Sequence, residues 1–192
     1  MNIGLYFGSF NPIHVGHLLI ANSALNETTV DKIWFIVSPQ NPLKKSNSLL
    51  NEFDRLHLVR LATEGDIRIK PMDIEFHLPK PSFTIDTLIY LKEKYPTHNF
   101  SVLLGSDSFQ NIEHWKNFSE ILSQFPLIIY KRFGFEINNK HNAQLTILNA
   151  PLIELSATQI RDLIKGGKSI RYLVPEAVRE EIEVRSFFLK KN

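Results

Sequence analysis

Short apolar runs closed by glycine or proline alternate along this chain with stretches of helical period. "NIGLYFG" (Asn2–Gly8) is a continuous apolar run ending in glycine and predicts a buried strand. In "VGHLLIANSALNE", Leu18, Leu19, Ala21, Ala24 and Leu25 recur at helical spacing. "KIWFIVSP" (32–39) is a second buried strand, stopped by proline, and "QNPLKKSNSLL" is a polar loop. "NEFDRLHLVRLATEG" predicts a helix capped by Asn51 and closed by Gly65. "DIRIKPMDIEFH" alternates weakly and predicts one or two short strands, on which Asp73 and Glu75 read as solvated edge charges rather than a paired-carboxylate site. After the loop "LPKPS", "TIDTLIYLKEKYP" predicts a helix with Ser82 or Thr84 near its cap. "NFSVLLGSD" is a strand, "SFQNIEHWKNFSEILSQF" two short helices, and "PLIIYKR" and "LTILNAP" strands on either side of a polar surface loop, 132–144. "SATQIRDLIKGG" and "VPEAVREEIEVRSFFL" are closing helices, the second with Pro175 at its start.

Apolar strands alternating with helices predict an α/β fold: a Rossmann-like, doubly wound, mainly parallel sheet with helices on both faces and right-handed crossovers. In such sheets ligands sit beyond the carboxyl ends of the strands, where strand order reverses. The 192 residues, 43% hydrophobic and 22% charged, suit a single domain with one core. A net charge of +2 without a dense basic stripe favours small anionic ligands over nucleic acid. The absence of cysteine excludes disulfides, cysteine zinc sites and thiol nucleophiles. No stretch approaches the ~20 apolar residues of a membrane span, and "MNIGLYFGSF" lacks the features of a signal peptide. A soluble cytoplasmic protein, free of membrane partners, is the expectation.

The chemistry concentrates in "GSFNPIHVGH", residues 8–17, where a strand hands over to a helix. A metal site, an acid–base pair and an anion cradle all use such residues. Zinc asks for three or four ligands, and His-x-x-His with no acid in the next turn offers two, so no metal site is expected here. The cradle fits better. Main-chain N–H groups of the turn and the first helical turn face the positive end of a helix dipole, where phosphates bind. Gly8 lets a bulky anion approach, Ser9 adds a hydroxyl, and His14 and His17 share one face of the first turn. Gly16 between them costs about 1 kcal/mol relative to alanine within a helix, so something there needs room.

"GSFNPIHVGH" resembles the G-x-F-x-P-x-H-x-G-H signature of the nucleotidyltransferase superfamily. "LSATQIR" (155–161) resembles its I-S-S-T-x-I-R element, a helix opening on hydroxyls with Arg161 in its first turn. Class I aminoacyl-tRNA synthetases share the first element, but their lysine-rich second signature is absent. Within the superfamily the chain is most similar to the bacterial nicotinate-nucleotide adenylyltransferases. "SPQNPLKKS" resembles the family's proline and lysine loop, "KPSFTIDTLIYL" its P-S-Y-T-x-D-T-L block, and "LLGSDSFQNIEHWKNFSEIL" its G-x-D…W…E-I-L block. Asn11 stands where many members have Asp. Leu43 and Lys44 replace Pro-His, making Lys45 the matching lysine. Phe83 replaces Tyr, and Ala157 replaces the second Ser.

The resemblance implies one nucleotidyltransferase domain over residues 1–192, with the helices from about 156 carrying the second phosphate motif. It implies adenylyl transfer from ATP to nicotinate mononucleotide, giving deamido-NAD and pyrophosphate in NAD biosynthesis. His14, His17, Lys45 and Arg161 are then the catalytic donors. Gly8, Ser9, Phe10, Gly16, Asp107, Ser156 and Thr158 bind ATP, with Asp107 on ribose hydroxyls. Thr84, Phe83 and Trp115 hold the mononucleotide. Each reading has a plainer one beside it: Trp115 as core and Asp107 as an N-cap. Mg2+ is implied, carried on the ATP phosphates, with no protein metal ligand. His57, His77, His98, His114 and His141 are scattered and read as incidental. Sister enzymes acting on nicotinamide mononucleotide or phosphopantetheine use the same ATP motifs, and a non-catalytic nucleotide-binding module is the reading of a different class; "PSFTIDTL" favours the nicotinate branch.

Overall fold

The computed structural model describes residues 1–39 and 49–189. Its strands are β1 (Asn2–Gly8), β2 (Lys32–Val37), β3 (Ile69–Met72), β4 (Asn99–Gly105), β5 (Leu127–Tyr130) and β6 (Leu145–Ile147). They form one sheet in the order β3-β2-β1-β4-β5-β6, with every pair parallel. The helices are α1 (Val15–Glu27), α2 (Glu52–Thr63), α3 (Thr84–Lys94), α4 (Ser106–Gln110), α5 (Phe118–Gln124), α6 (Ala157–Lys165) and α7 (Glu176–Val184).

Strand side chains alternate between two faces, and each face is covered. Tyr6, Ile33, Phe35, Val37 and Leu103 point to one layer, where Ala24 of α1, Leu56 and Val59 of α2, Ile160 of α6 and Val178 of α7 pack. Ile3, Leu5, Trp34, Ile36 and Leu104 point to the other, against Leu88 of α3, Phe109 of α4 and Ile121 of α5. The chain builds outward from β1 to β3, then crosses to β4 on the other side of β1. Strand order therefore reverses between β1 and β4, and their carboxyl ends, Gly8 and Gly105, open the crevice where such sheets bind ligands.

The sequence reading departs from the structure at 66–77. Ile69–Met72 is an edge strand, which tolerates Pro71. Residues Ile74–His77 then form a 3₁₀ turn instead of a second strand. Glu75 is not a solvated edge charge: it is 2% exposed. Its carboxylate accepts hydrogen bonds from Ser82 Oγ (2.9 Å) and Thr87 Oγ1 (3.0 Å), and these hydroxyls hold the acid inside the fold. The α3 helix starts at Thr84 with Phe83 as N-cap residue. Asn51 caps α2 as expected, accepting from Phe53 N–H, and Gly65 follows the helix with a left-handed φ of +88°.

Arg55 of α2 has no exposed surface, and its hydrogen bonds run to main-chain carbonyls. Nη1 donates to Ser9 O and Ser38 O (2.7 Å each), Nη2 to Pro39 O (2.9 Å) and Nε to Leu50 O (3.0 Å). One planar fork thus ties the turn after β1 to the exit of β2 and to the entry of α2. Burial lowers its pKa to about 10, still charged at neutral pH. Arg55→Met strands four carbonyls and should cost about 3 kcal/mol or more of stability, read from the urea midpoint. An unchanged midpoint contradicts this role.

Candidate functional site

The opening stretch is more tightly packed than its composition suggests. A Cβ on Gly8 would stand 2.8 Å from Phe10 Cζ, so the glycine makes room for a ring of its own turn. Phe10 takes a left-handed φ of +45°, and its ring lies edge-on to Tyr6 (5.7 Å) and His17 (5.1 Å). A non-glycine residue held there costs of order 1–3 kcal/mol, and such residues cluster at functional sites. His14 is the extended N-cap residue of α1, and His17 is the helix's third residue. Their rings stack at 3.7 Å with a 29° tilt, and His14 N–H donates to His17 Nδ1 at 3.2 Å. A Cβ on Gly16 would stand 3.0 Å from His14 Nδ1, so the space at Gly16 belongs to the His14 ring. Two first-turn donors are already used: Val15 N–H on Leu173 O and His17 N–H on His14 O, both at 3.0 Å. The main-chain cradle is smaller than the sequence suggests, and the imidazoles take a larger share of the donor surface.

Both imidazoles are neutral at pH 7. Burial lowers His14 to about 4, with Arg132 adding to the effect. Burial, the His14 ring and then Arg132 hold His17 well below the ordinary value. Since His17 Nδ1 accepts the His14 N–H, its own proton sits on Nε2, assigned by this hydrogen bond.

The second motif meets the first. Arg161 Nη1 donates to Asn11 O at 2.8 Å, across 150 residues, and Nη2 donates to Thr158 Oγ1 at 3.0 Å. Asn11 is buried, and its Oδ1 accepts from Leu50 N–H. Arg161 is the fifth residue of α6 and so opens its second turn, a correction to its placement in the first. Ser156 is the N-cap: its hydroxyl accepts from Gln159 N–H, and its own N–H donates to Gln159 Oε1.

Asp107 lies in the first turn of α4, whose N-cap residue is Gly105, so it does not cap the helix. Its Oδ1 stands 3.1 Å from Arg132 Nε. Gly105 is needed here because a Cβ would stand 2.3 Å from that same Oδ1. Arg132 Nη2 donates to Tyr130 OH (2.8 Å), with the guanidinium 5.2 Å from the Tyr130 ring centroid. Arg132 also lines a recess with His14 and His17. Alongside, a cleft of about 510 Å³ is lined by Gly8, Phe83, Thr84, Asp107 and Trp115, among others. Trp115 is half-buried, packed on the α3 face with part of its surface left to the cleft. Lys45 lies outside the described residues. Of the scattered histidines, His57 pairs with Glu181 and His141 with Glu113, while His114 reaches the cleft wall.

Among the described residues, the buried His14 Nδ1 and Arg161 Nε lack a hydrogen-bond partner, and Asp107 Oδ1 and Arg132 Nε have each other in an ion pair. Buried polar atoms are rarely left so, and their gathering at the strands' carboxyl ends marks a place built for polar contact. No group of three or more His, Asp or Glu among the described residues could hold a metal ion. The donors are imidazole, guanidinium and hydroxyl, a set that suits phosphate oxygens. Sequence reasoning missed Arg132, Arg55 and Glu75. Arg132 follows the end of β5 by two residues, and the carboxyl-end rule applied to every strand would have found it.

A Cytidylyltransferase-like family model matches residues 5–163. A Cytophaga hutchinsonii protein named "Probable nicotinate-nucleotide adenylyltransferase" is 47% identical, covering 98% of each chain. One of the same name from Flavobacterium johnsoniae is 47% identical over 99% of this chain and all of its own. Among solved structures, the nicotinic acid mononucleotide adenylyltransferase of Plasmodium falciparum complexed with NaAD aligns with a TM-score of 0.80 at 22% identity, covering 97% of both chains. That likeness bears on the fold, and agrees with the doubly wound sheet. With a family model spanning most of the chain and full-length relatives at this identity, the chain belongs to the cytidylyltransferase-like family, on its nicotinate-nucleotide adenylyltransferase branch.

Proposed function

We propose that this chain transfers the adenylyl group of ATP to nicotinate mononucleotide, releasing deamido-NAD and pyrophosphate as a step of NAD biosynthesis. Kinship with the nicotinate-nucleotide adenylyltransferases supports the reaction. The observation that carries the site is the Arg161 guanidinium bound to the carbonyl of Asn11, in the loop that bears the stacked histidines. Residues 1–192 act as one nucleotidyltransferase domain.

A phosphate oxygen of the mononucleotide attacks the α-phosphorus of ATP, and the bond to the β,γ-pyrophosphate breaks. The nucleophile is ionised at neutral pH, so no general base is needed. The chain's task is to align two anions that repel each other and to stabilise charge on the departing pyrophosphate. The turn Gly8–Phe10, with Ser9, contacts phosphate. His17 donates Nε2–H, and His14 donates from its own ring, toward the α-phosphate. Gly16 keeps His14 in place. Ser156, Thr158 and Arg161 take the β- and γ-phosphates, and Lys45 contacts phosphate from outside the described residues. Asp107 binds the adenosine ribose. Arg132, between Asp107 and the histidines, adds a cation beside the reacting centre. Thr84 at the start of α3, with Phe83 and Trp115, holds the nicotinate group. Mg2+ carried by ATP would supply charge neutralisation to its phosphates, with no described residue assigned to hold the ion. The reading carries small-molecule partners and a cytoplasmic location; no described helix is long and apolar enough to cross a membrane.

His17→Ala should lower kcat roughly 100- to 1,000-fold with the fold retained, as for loss of one donor matched to transition-state charge. Turnover near wild type excludes that role. Pyrophosphate release with ATP and a panel of acceptors tests the reaction: nicotinate mononucleotide should be the best substrate, and preference for the amide or for phosphopantetheine overturns the assignment. In the free protein, NMR should show the His14 ring titrating near 4, against about 6.5 for an ordinary imidazole. Between those values the unfolded chain binds the extra proton, so stability should fall as pH drops from about 6.5 toward 4. A His14 titration near 6.5 contradicts the buried neutral pair.

A further inference from the structure

We infer that Tyr130 is a positioning residue: its hydroxyl holds the Arg132 guanidinium beside the reacting centre while Asp107 is engaged with the ribose. The inference rests on the proposed reaction and names the residue that keeps one of its cations in place. Arg132 has two side-chain partners, and only one of them has another task.

The main chain of Arg132 is rooted and its side chain is long. Its N–H donates to Ser106 Oγ at 2.9 Å, and Ser106 is fully buried. The Arg132 side chain is 38% exposed. A long side chain with that access to solvent keeps its rotamer freedom unless the head is held. Asp107 Oδ1 stands 3.1 Å from Nε, and Tyr130 OH accepts from Nη2 at 2.8 Å. Asp107 is the carboxylate assigned to the adenosine ribose. Its oxygens must then accept from sugar hydroxyls as well, which divides its hold on Arg132. The Tyr130 hydroxyl is assigned no ligand and can stay on Nη2 throughout. Nη1 has no hydrogen-bond partner among the described residues, and so remains for a phosphate oxygen.

Packing fixes where that hydroxyl sits. Tyr130 ends β5 and is 7% exposed. Its register partner on β4 is Gly105, where a Cβ would stand 2.9 Å from Tyr130 Cζ and 3.0 Å from its hydroxyl. The missing side chain therefore clears space for Tyr130 as well as for Asp107. The Tyr6 ring lies edge-on to the Tyr130 ring at 6.2 Å. The guanidinium lies 5.2 Å from the Tyr130 ring centroid, so the ring's π face adds to the hold of its hydroxyl. Tyr130 lines both the 510 Å³ cleft and the recess of His14 and His17. The cation it holds shares that recess, where the α-phosphate is assigned.

Tyr130→Phe tests the inference, because it keeps the ring and removes the hydroxyl alone. In the free protein, nitrogen NMR should resolve the Arg132 Nη signals in wild type and average them in Tyr130→Phe. With ATP and nicotinate mononucleotide, Tyr130→Phe should lower kcat about tenfold, the loss of a charge-assisted bond that orients a donor, with KM for either substrate within about twofold. In an Arg132→Gln background the same change should move kcat by less than about twofold, since Tyr130 acts through the guanidinium. An equal loss of kcat in both backgrounds means a general structural role and overturns the inference. Wild-type kcat in Tyr130→Phe overturns it too, as do Arg132 signals already averaged in wild type. Each of these leaves the proposed reaction standing. If wild type releases no pyrophosphate with nicotinate mononucleotide, the reaction falls first, and this inference with it, before any variant is compared.

Discussion

Two guanidinium groups hold the loop after β1 by its main-chain carbonyls. Arg55, 46 residues away, takes Ser9 O, and Arg161, 150 residues away, takes Asn11 O. Carbonyl and N–H of a trans peptide point in opposite directions, so drawing Ser9 O toward Arg55 sends the Phe10 N–H the other way. The loop must also keep Phe10 at a positive φ, a conformation that persists only where the surroundings over-determine it. Both arginines use planar forks whose fixed, spread donors reach several oxygens or separate segments, where a lysine presents a single compact charge. Arg55 has no carboxylate in its hydrogen-bond set; four carbonyl dipoles answer its charge, which burial moves only to about 10.

The same economy of charge governs the histidine pair. Arg132 and Arg161 already place positive charge around the crevice. Two further imidazolium ions, with rings stacked at 3.7 Å, would repel each other and the arginines. Burial and Arg132 keep the rings neutral, and a neutral imidazole still donates one N–H. The site thus gains hydrogen-bond donors without adding to its repulsion.

Packing, more than ligand clearance, explains the glycines of the opening stretch. Gly8 is spared a side chain by the Phe10 ring, Gly16 by the His14 ring and Gly105 by the Asp107 carboxylate. In each case a small residue lets a neighbouring functional or strained side chain occupy a fixed position.

The elements and the motif residues were legible in the chain itself. Strands buried on both faces must be apolar throughout, and helices on a sheet must be apolar at a 3.6 period, so β1, β2, β4 and α1 to α3 announce themselves locally. The one misread element, 74–77, has a tertiary cause: Glu75 is polar by type and buried by partnership with Ser82 and Thr87, and no local pattern records a partnership. Arg132 and Arg55 escaped for the same reason, since a charged side chain reads as surface until carbonyls or a carboxylate from distant segments meet it. Sequence alone determined the order of strands and helices and where on them the histidine and arginine motifs fall, because both are written in residue type and spacing. Only the tertiary structure decided which charges are buried, which imidazoles are neutral and which cation shares the recess of the histidines, because desolvation and hydrogen-bond partnership arise between segments far apart in the chain.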